Sequence, residues 1–170
     1  MIKNKNTNNK VCVLSDTNRK AVKVMQYATL KNFDEIYSVF KQNRKIFPHI
    51  RTDYLKRQIK KNNVIFDSGV ILIKDVYKKT VHLGNQTYQK GTNIIHQIVN
   101  SEKGNGNATK VLNNFLNTLN DKVVLTVRKS NEVARNFYEK NDFKQTGLIN
   151  WSNNKIKGVI YDFKKQTRVV

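Results

Sequence analysis

The chain has 170 residues, enough for one domain with its own core and no need of metals or disulfides. Lys and Arg number 32 against 12 acidic residues, a net charge of +20, and the single cysteine, Cys12, excludes an internal disulfide framework and a cysteine zinc site. No apolar run approaches the ~20 residues of a membrane span and MIKNKNTNNK lacks a signal-peptide core, so a cytoplasmic monomer or homodimer without membrane contact is expected.

The hydrophobic fraction of 38% is low but falls in periodic blocks, which points to a folded protein. An A/T-rich coding sequence would enrich Lys and Asn, yet it would also enrich Glu, which is scarce here. A positive field of this size favours polyanions, so nucleic-acid contact and a merely basic surface both stand as readings.

Residues 1–20 read as a flexible basic arm broken by Val11–Leu14, residues 21–165 as a single α+β domain, and residues 166–170 as a tail. Val22, Val24, Met25 and Tyr27 suggest a first strand. Leu30, Phe33, Ile36, Tyr37 and Phe40 then form one face of a helix with Thr29 as N-cap. After Pro48 a second helix starts near Thr52, helped by Asp53, and turns Tyr54, Leu55 and Ile59 inward. The segment between them carries Arg44, Lys45, Phe47, His49 and Arg51.

Val64–Phe66 and Val70–Ile73 flank Asp67-Ser68-Gly69, a hairpin signal. Val76–Leu83 is a further strand candidate that turns at Gly84-Asn85, and Thr87–Tyr88 continues the sheet. Ile94–Val99 is a β-branched run that reads as a buried strand. The small-residue turn Lys103-Gly104-Asn105-Gly106-Asn107-Ala108 follows. Val111, Leu112, Phe115, Leu116 and Leu119 then share one helix face.

A strand, a glycine turn and a helix aim several N–H groups and a positive helix end at one spot, which suits a phosphate. No Gly-Lys-Ser/Thr follows Gly106, and Thr109 stands where a dinucleotide fingerprint needs glycine. By itself the loop fits an ordinary turn as well as a phosphate cradle. Val123–Val127 is a strand, Asn131–Asn141 a short helix with Val133, Ala134, Phe137 and Tyr138 inward, and Phe143–Trp151 and Ile156–Phe163 close the chain as a hairpin.

Two blocks in the second half, within residues 93–145, carry a family resemblance. Lys103–Ala108 resembles the Arg/Gln-x-x-Gly-x-Gly/Ala loop of the GCN5-related N-acetyltransferases (GNAT), and Val127–Phe143 resembles that family's later block of Asn, Ala, an apolar residue plus Tyr, and Gly-Phe. Two departures stand out. Lys103 replaces the usual Arg or Gln, and Asp142 replaces the usual Gly, although Asp tolerates a left-handed backbone better than most residues.

The resemblance implies the GNAT acyl-CoA N-acyltransferase fold: a mixed sheet of six to seven strands with a splayed pair, flanked by about four helices. It implies acetyl-CoA as donor and an amine as acceptor. The pantetheine arm would lie between Ile94–Val99 and Val123–Val127, bonded by the backbone of Ile98 and Val99. The pyrophosphate would meet Lys103, Gly104, Asn105, Gly106, Asn107 and Ala108, and Asn131 the pantetheine or adenine end. Tyr138 would be the acid that protonates the thiolate. His96, on the strand beside the thioester, is the candidate base, ahead of His82 and His49.

Arg44, Phe47, His49 and Arg51 (which Asp53 could orient), with Trp151, Lys155 and Lys157 opposite, would bind the acceptor. Cations beside planar rings suit phosphate contact and base stacking. Three scattered histidines offer no metal-ligand spacing. The acceptor expected first is an amine carried on nucleic acid, either a modified DNA base, as in phage hypermodification, or an aminoacyl-tRNA, as in acetyltransferase toxins. A small-molecule amine, a protein lysine or a protein N-terminus is the alternative within the same class. A non-catalytic basic nucleic-acid-binding domain on the same scaffold is the alternative outside it, opposed by intact Gly106, Ala108, Asn131 and Tyr138.

Overall fold

A computed structural model describes residues 24–165. The expected arm and tail, Cys12 and Val22 lie outside the described residues.

Six strands form one sheet in the order β1-β2-β5-β6-β8-β7: β1 (Val64–Asp67), β2 (Val70–Val76), β5 (Asn93–Asn100), β6 (Val123–Arg128), β7 (Lys144–Trp151) and β8 (Ile156–Phe163). The hairpin β3 (Val81–Leu83) and β4 (Gln86–Tyr88) stands apart as a two-stranded sheet. Every pairing in the main sheet is antiparallel except β5 with β6. That exception follows from the connection between them, which is helix α3 (Asn107–Asn117), because parallel neighbours need a long crossover.

The two sheet faces hold separate cores. On one, α3 and α4 (Glu132–Lys140) bury Val111, Leu112, Phe115, Leu116 and Tyr138 against Leu72, Ile95, Leu125, Val127, Val159 and Tyr161. On the other, α1 (Phe33–Gln42) and α2 (Thr52–Lys60) bury Ile36, Phe40, Leu55 and Ile59 against Val64, Ile71 and Ile73. The β3–β4 hairpin extends that second layer, setting Tyr88 against Val124 and Ile160. Removal of these apolar side chains from water is the main stabilising term.

Helix ends obey local chemistry. Both α2 and α4 close in a left-handed residue, Asn62 at φ 55° and Asp142 at φ 65°. In each, the next amide reaches back to the third-from-last helical carbonyl, Asn63 to Gln58 at 3.0 Å and Phe143 to Tyr138 at 3.1 Å.

Four sequence expectations change. The first strand shrinks to a single bridge, Tyr27 with Ile65, although Ala28 still donates to the Val64 carbonyl. The first helix starts as a tight 3-10 turn over Leu30–Asn32, where Asn32 Oδ1 accepts from the Thr29 amide and hydroxyl; its different pitch leaves Leu30 49% exposed. Val76 ends β2 rather than opening a strand that runs to Leu83. Val133, in the first turn of α4, is 83% exposed rather than inward.

Candidate active site

Strands β5 and β6 pair at only two positions, Asn93 with Val123 and Ile94 with Val124. Beyond them β5 follows β2 as far as Asn100 opposite Val70, and β6 follows β8 as far as Arg128 opposite Gly158. The strands therefore diverge, and the facing backbone edges of Ile95–Asn100 and Leu125–Arg128 are unpaired. A cavity of about 880 Å³ fills the opening. Its wall combines apolar Ile98, Val127, Ala134 and Phe137 with polar Gln97, Asn100, Thr126 and Asn131, and among the described residues it includes no Asp or Glu. This size and mixture suit a ligand site.

A β-bulge shapes one wall. Ile73 pairs with Gln97 and Lys74 with Ile95, so His96 has no partner on β2. The extra residue resets the alternation. Ile95 and Ile98 both face the α3 layer, and Val99 faces α1 and α2. His96 thereby joins the cavity wall beside Gln97, whose Nε2 lies 2.9 Å from His49 Nε2. His96 keeps an exposed face; desolvation by the surrounding protein lowers its pKa, against an upward pull from Asp75 that exceeds the further lowering by His49. Burial and the charge of Arg128 lower that of His49. Both rings favour the neutral form, which can accept a proton.

Tyr138 lies across the gap on α4. Its ring packs against Phe143 at 5.4 Å and Phe137 at 5.3 Å, and its hydroxyl has no hydrogen-bond partner among the described residues. Burial pushes the phenol pKa well up, so the group stays protonated and keeps a proton to donate. The left-handed closure at Asp142 carries Phe143 back onto this ring and fixes its place.

At the loop before α3, Gly104 and Gly106 adopt φ 83° and 73°, and open space surrounds the position of a Cβ at either. Conformation, not crowding by protein atoms, calls for glycine there. The amides of Gly104, Asn105, Gly106 and Ala108 make no hydrogen bond among the described residues, so they can receive an anion. The amide of Asn107 is different, because Asn105 Oδ1 already accepts from it at 3.0 Å. Asn107 Nδ2 instead ties the helix start to the Ser68 carbonyl at 3.1 Å.

Of the residues singled out in the sequence, His96, Ile98, Val99, Lys103, Gly104, Ala108, Asn131, Tyr138, Phe47, His49 and Trp151 line one cavity. Asn105, Gly106 and Asn107 shape the loop without lining it, and Arg44 and Arg51 lie outside the lining. No ion pair joins Asp53 to Arg51. Asn131 also has structural work: its Oδ1 accepts from the Ala134 amide at 3.1 Å and caps α4. His82 bonds Thr87 on the separate hairpin, away from the cavity. Sequence reasoning missed Gln97, which the bulge redirects, and Arg128, which continues the two-residue period of Val124 and Thr126. Among the described residues no group of three His, Cys, Asp or Glu could hold a metal, and no helix is long and apolar enough to cross a membrane.

The sequence matches no family model and no curated protein. Solved structures do match. A GNAT-family acetyltransferase from Streptococcus agalactiae aligns at TM-score 0.68 and 11% identity, over 85% of this chain and 96% of that one. The chain has the GNAT fold. A GNAT-family acetyltransferase from Bacillus cereus aligns at TM-score 0.58 and 17% identity, over 85% of this chain and 98% of that one. Arabidopsis thaliana Naa50, in complex with the bisubstrate analogue CoA-Ac-MVNAL, aligns at TM-score 0.62 and 17% identity, over 84% of this chain and 98% of that one. The parting of two parallel strands after Ile94 and Val124 is the splayed pair that the family resemblance implies.

Proposed function

We propose that the protein is an acetyl-CoA-dependent N-acetyltransferase. The observation that carries this reading is the divergence of β5 and β6 onto an open cavity whose wall holds His96 on one side and Tyr138 on the other. The residues present fit acetyl-CoA. The edge of β5 that faces β6 around Ile98 and Val99 suits the amides of pantetheine, free amides at Gly104, Gly106 and Ala108 with Lys103 suit a diphosphate, and Asn131 keeps an unused Nδ2. Solved structures of the same fold with acetyl-CoA or CoA support the choice.

When bound, acetyl-CoA supplies a thioester carbonyl that a neutral amine can attack, forming a C–N bond as the C–S bond breaks. His96, held neutral, takes the proton that the amine loses. Tyr138, held protonated, gives its hydroxyl proton to the departing sulfur. Proton transfers of this kind are typically worth 10²–10⁴-fold in rate.

The acceptor we favour is an amine carried on a nucleic acid, a modified DNA base or an aminoacyl-tRNA. Support comes from the net charge of +20 and a cavity wall with no carboxylate, bordered by Phe47 and Trp151 as stacking surfaces. A protein N-terminus is the second reading. It is favoured by fold neighbours such as Naa50 with its CoA-peptide analogue and the NatC complex with Gag peptide. Incubation with labelled acetyl-CoA and separate pools of DNA, tRNA, polyamines and proteins tests both. Label entering DNA or tRNA is expected, and label confined to proteins or polyamines would overturn the nucleic-acid acceptor.

A further inference from the structure

The acceptor half of the cavity has a chemistry of its own, and its interpretation rests on the acetyl-transfer reading above. We propose that the acceptor carries an anionic group, a phosphate or a carboxylate, close to its amine, and that Arg128 holds that group.

Among the described residues, two side chains in the cavity wall carry a formal positive charge, Lys103 and Arg128, and none carries a negative one. Lys103 belongs to the loop ahead of α3, where a diphosphate would lie. Arg128 ends the other diverging strand. Along β6, Val124, Thr126 and Arg128 share a face, and Val124 packs in the cluster with Tyr88 and Ile160, on the side away from α3 and α4. Arg128 therefore projects to the side where the α1–α2 connection brings His49, and its charge is one cause of the lowered His49 pKa.

Trp151 supplies the flank. A Cβ added at Gly158, the strand partner of Arg128, would collide with the Trp151 ring, so the indole lies over that position. The Gln97–His49 pair closes the opposite side at 2.9 Å. Within this frame the Arg128 guanidinium is exposed and has no hydrogen bond or ion pair among the described residues.

An unpaired fork of N–H donors at a cavity without carboxylates is matched to an oxyanion, which it can bind through two parallel hydrogen bonds. The same charge disfavours polycationic amines, because nothing in the wall can offset a second ammonium. It also favours the neutral form of any amine held nearby, which is the nucleophilic form.

Matched amines test the proposal by calorimetric titration into the full chain saturated with coenzyme A: ethanolamine against O-phosphoethanolamine, and glycinamide against glycine. We expect the anionic member of at least one pair to bind tenfold or more tightly than its neutral partner, and the responding pair separates phosphate from carboxylate. Arg128→Gln should reduce that preference at least fivefold, while Arg128→Lys keeps part of it and both variants still bind coenzyme A. Equal binding within both pairs, no binding of any of the four, or a preference that survives in Arg128→Gln would overturn the proposal. Failure of coenzyme A itself to bind would instead overturn the acetyl-transfer reading.

Discussion

Tyr138 and His96 are opposite cases of one effect: burial disfavours whichever form is charged. It favours the protonated phenol and the neutral imidazole, so in the proposed reaction one wall of the cavity would donate a proton and the other accept one. Tyr138→Phe keeps the ring contacts with Phe137 and Phe143 and removes only the hydroxyl. We expect kcat to fall roughly 10²-fold with the KM for acetyl-CoA little changed; wild-type turnover in steady-state assays would reassign the acid. For His96, the proton-accepting form disappears as pH falls through a pKa depressed below 6.5. The acid limb of kcat/KM should therefore have its midpoint below pH 6.5 and be altered in His96→Gln. The sign for stability follows. The folded state binds fewer protons on His96 and His49 than the unfolded state, so stability declines as pH falls from about 6.5 to the depressed values, and these groups leave it unchanged well above pH 6.5.

Among the elements, the closure of α4 offers the cleanest test. Asp142 adopts φ 65° so that Phe143 can return onto Tyr138. A left-handed non-glycine residue costs about 1 kcal/mol. Asp142→Gly should therefore raise Tm by about 2–4 °C, and Asp142→Val should lower it, as read by thermal unfolding. A lower Tm in the glycine variant would mean that the Asp142 side chain contributes more than its backbone costs. This turn was legible in the sequence because Asn141-Asp142-Phe143 stands where helix propensity stops. So were α2, α3 and the last two strands, whose apolar spacing matches their period. The bulge at His96 was not legible, because Ile94–Val99 reads as an unbroken apolar run and an added residue shows only against its partner strand. Gln97 was overlooked for that reason. Arg128 was overlooked because a cation ending a strand looks the same in sequence whether it faces solvent or a ligand.

For the whole molecule, the fold explains how a charged chain of modest apolar content makes a deep site. Two helical layers on opposite faces consume the apolar side chains, and the middle of the sheet is left open where β5 and β6 part. The diverging pair was expected from the family resemblance carried by the two motif blocks, whereas the order of the strands was not, because it depends on pairings between distant segments. The turn at Gly84-Asn85 between Leu83 and Thr87–Tyr88 was expected, but the separation of this short hairpin from the main sheet was not, because strands of three residues carry no signal of which sheet they join. Net charge bears on the partner proposed and not on the fold. Backbone hydrogen exchange with and without saturating acetyl-CoA tests the central claim most directly. Slower exchange is predicted within residues 95–100 and at Gly104, Gly106 and Ala108, with β1 and the β3–β4 hairpin unchanged. Unaltered exchange along both the open edge of β5 and the α3 loop would contradict it.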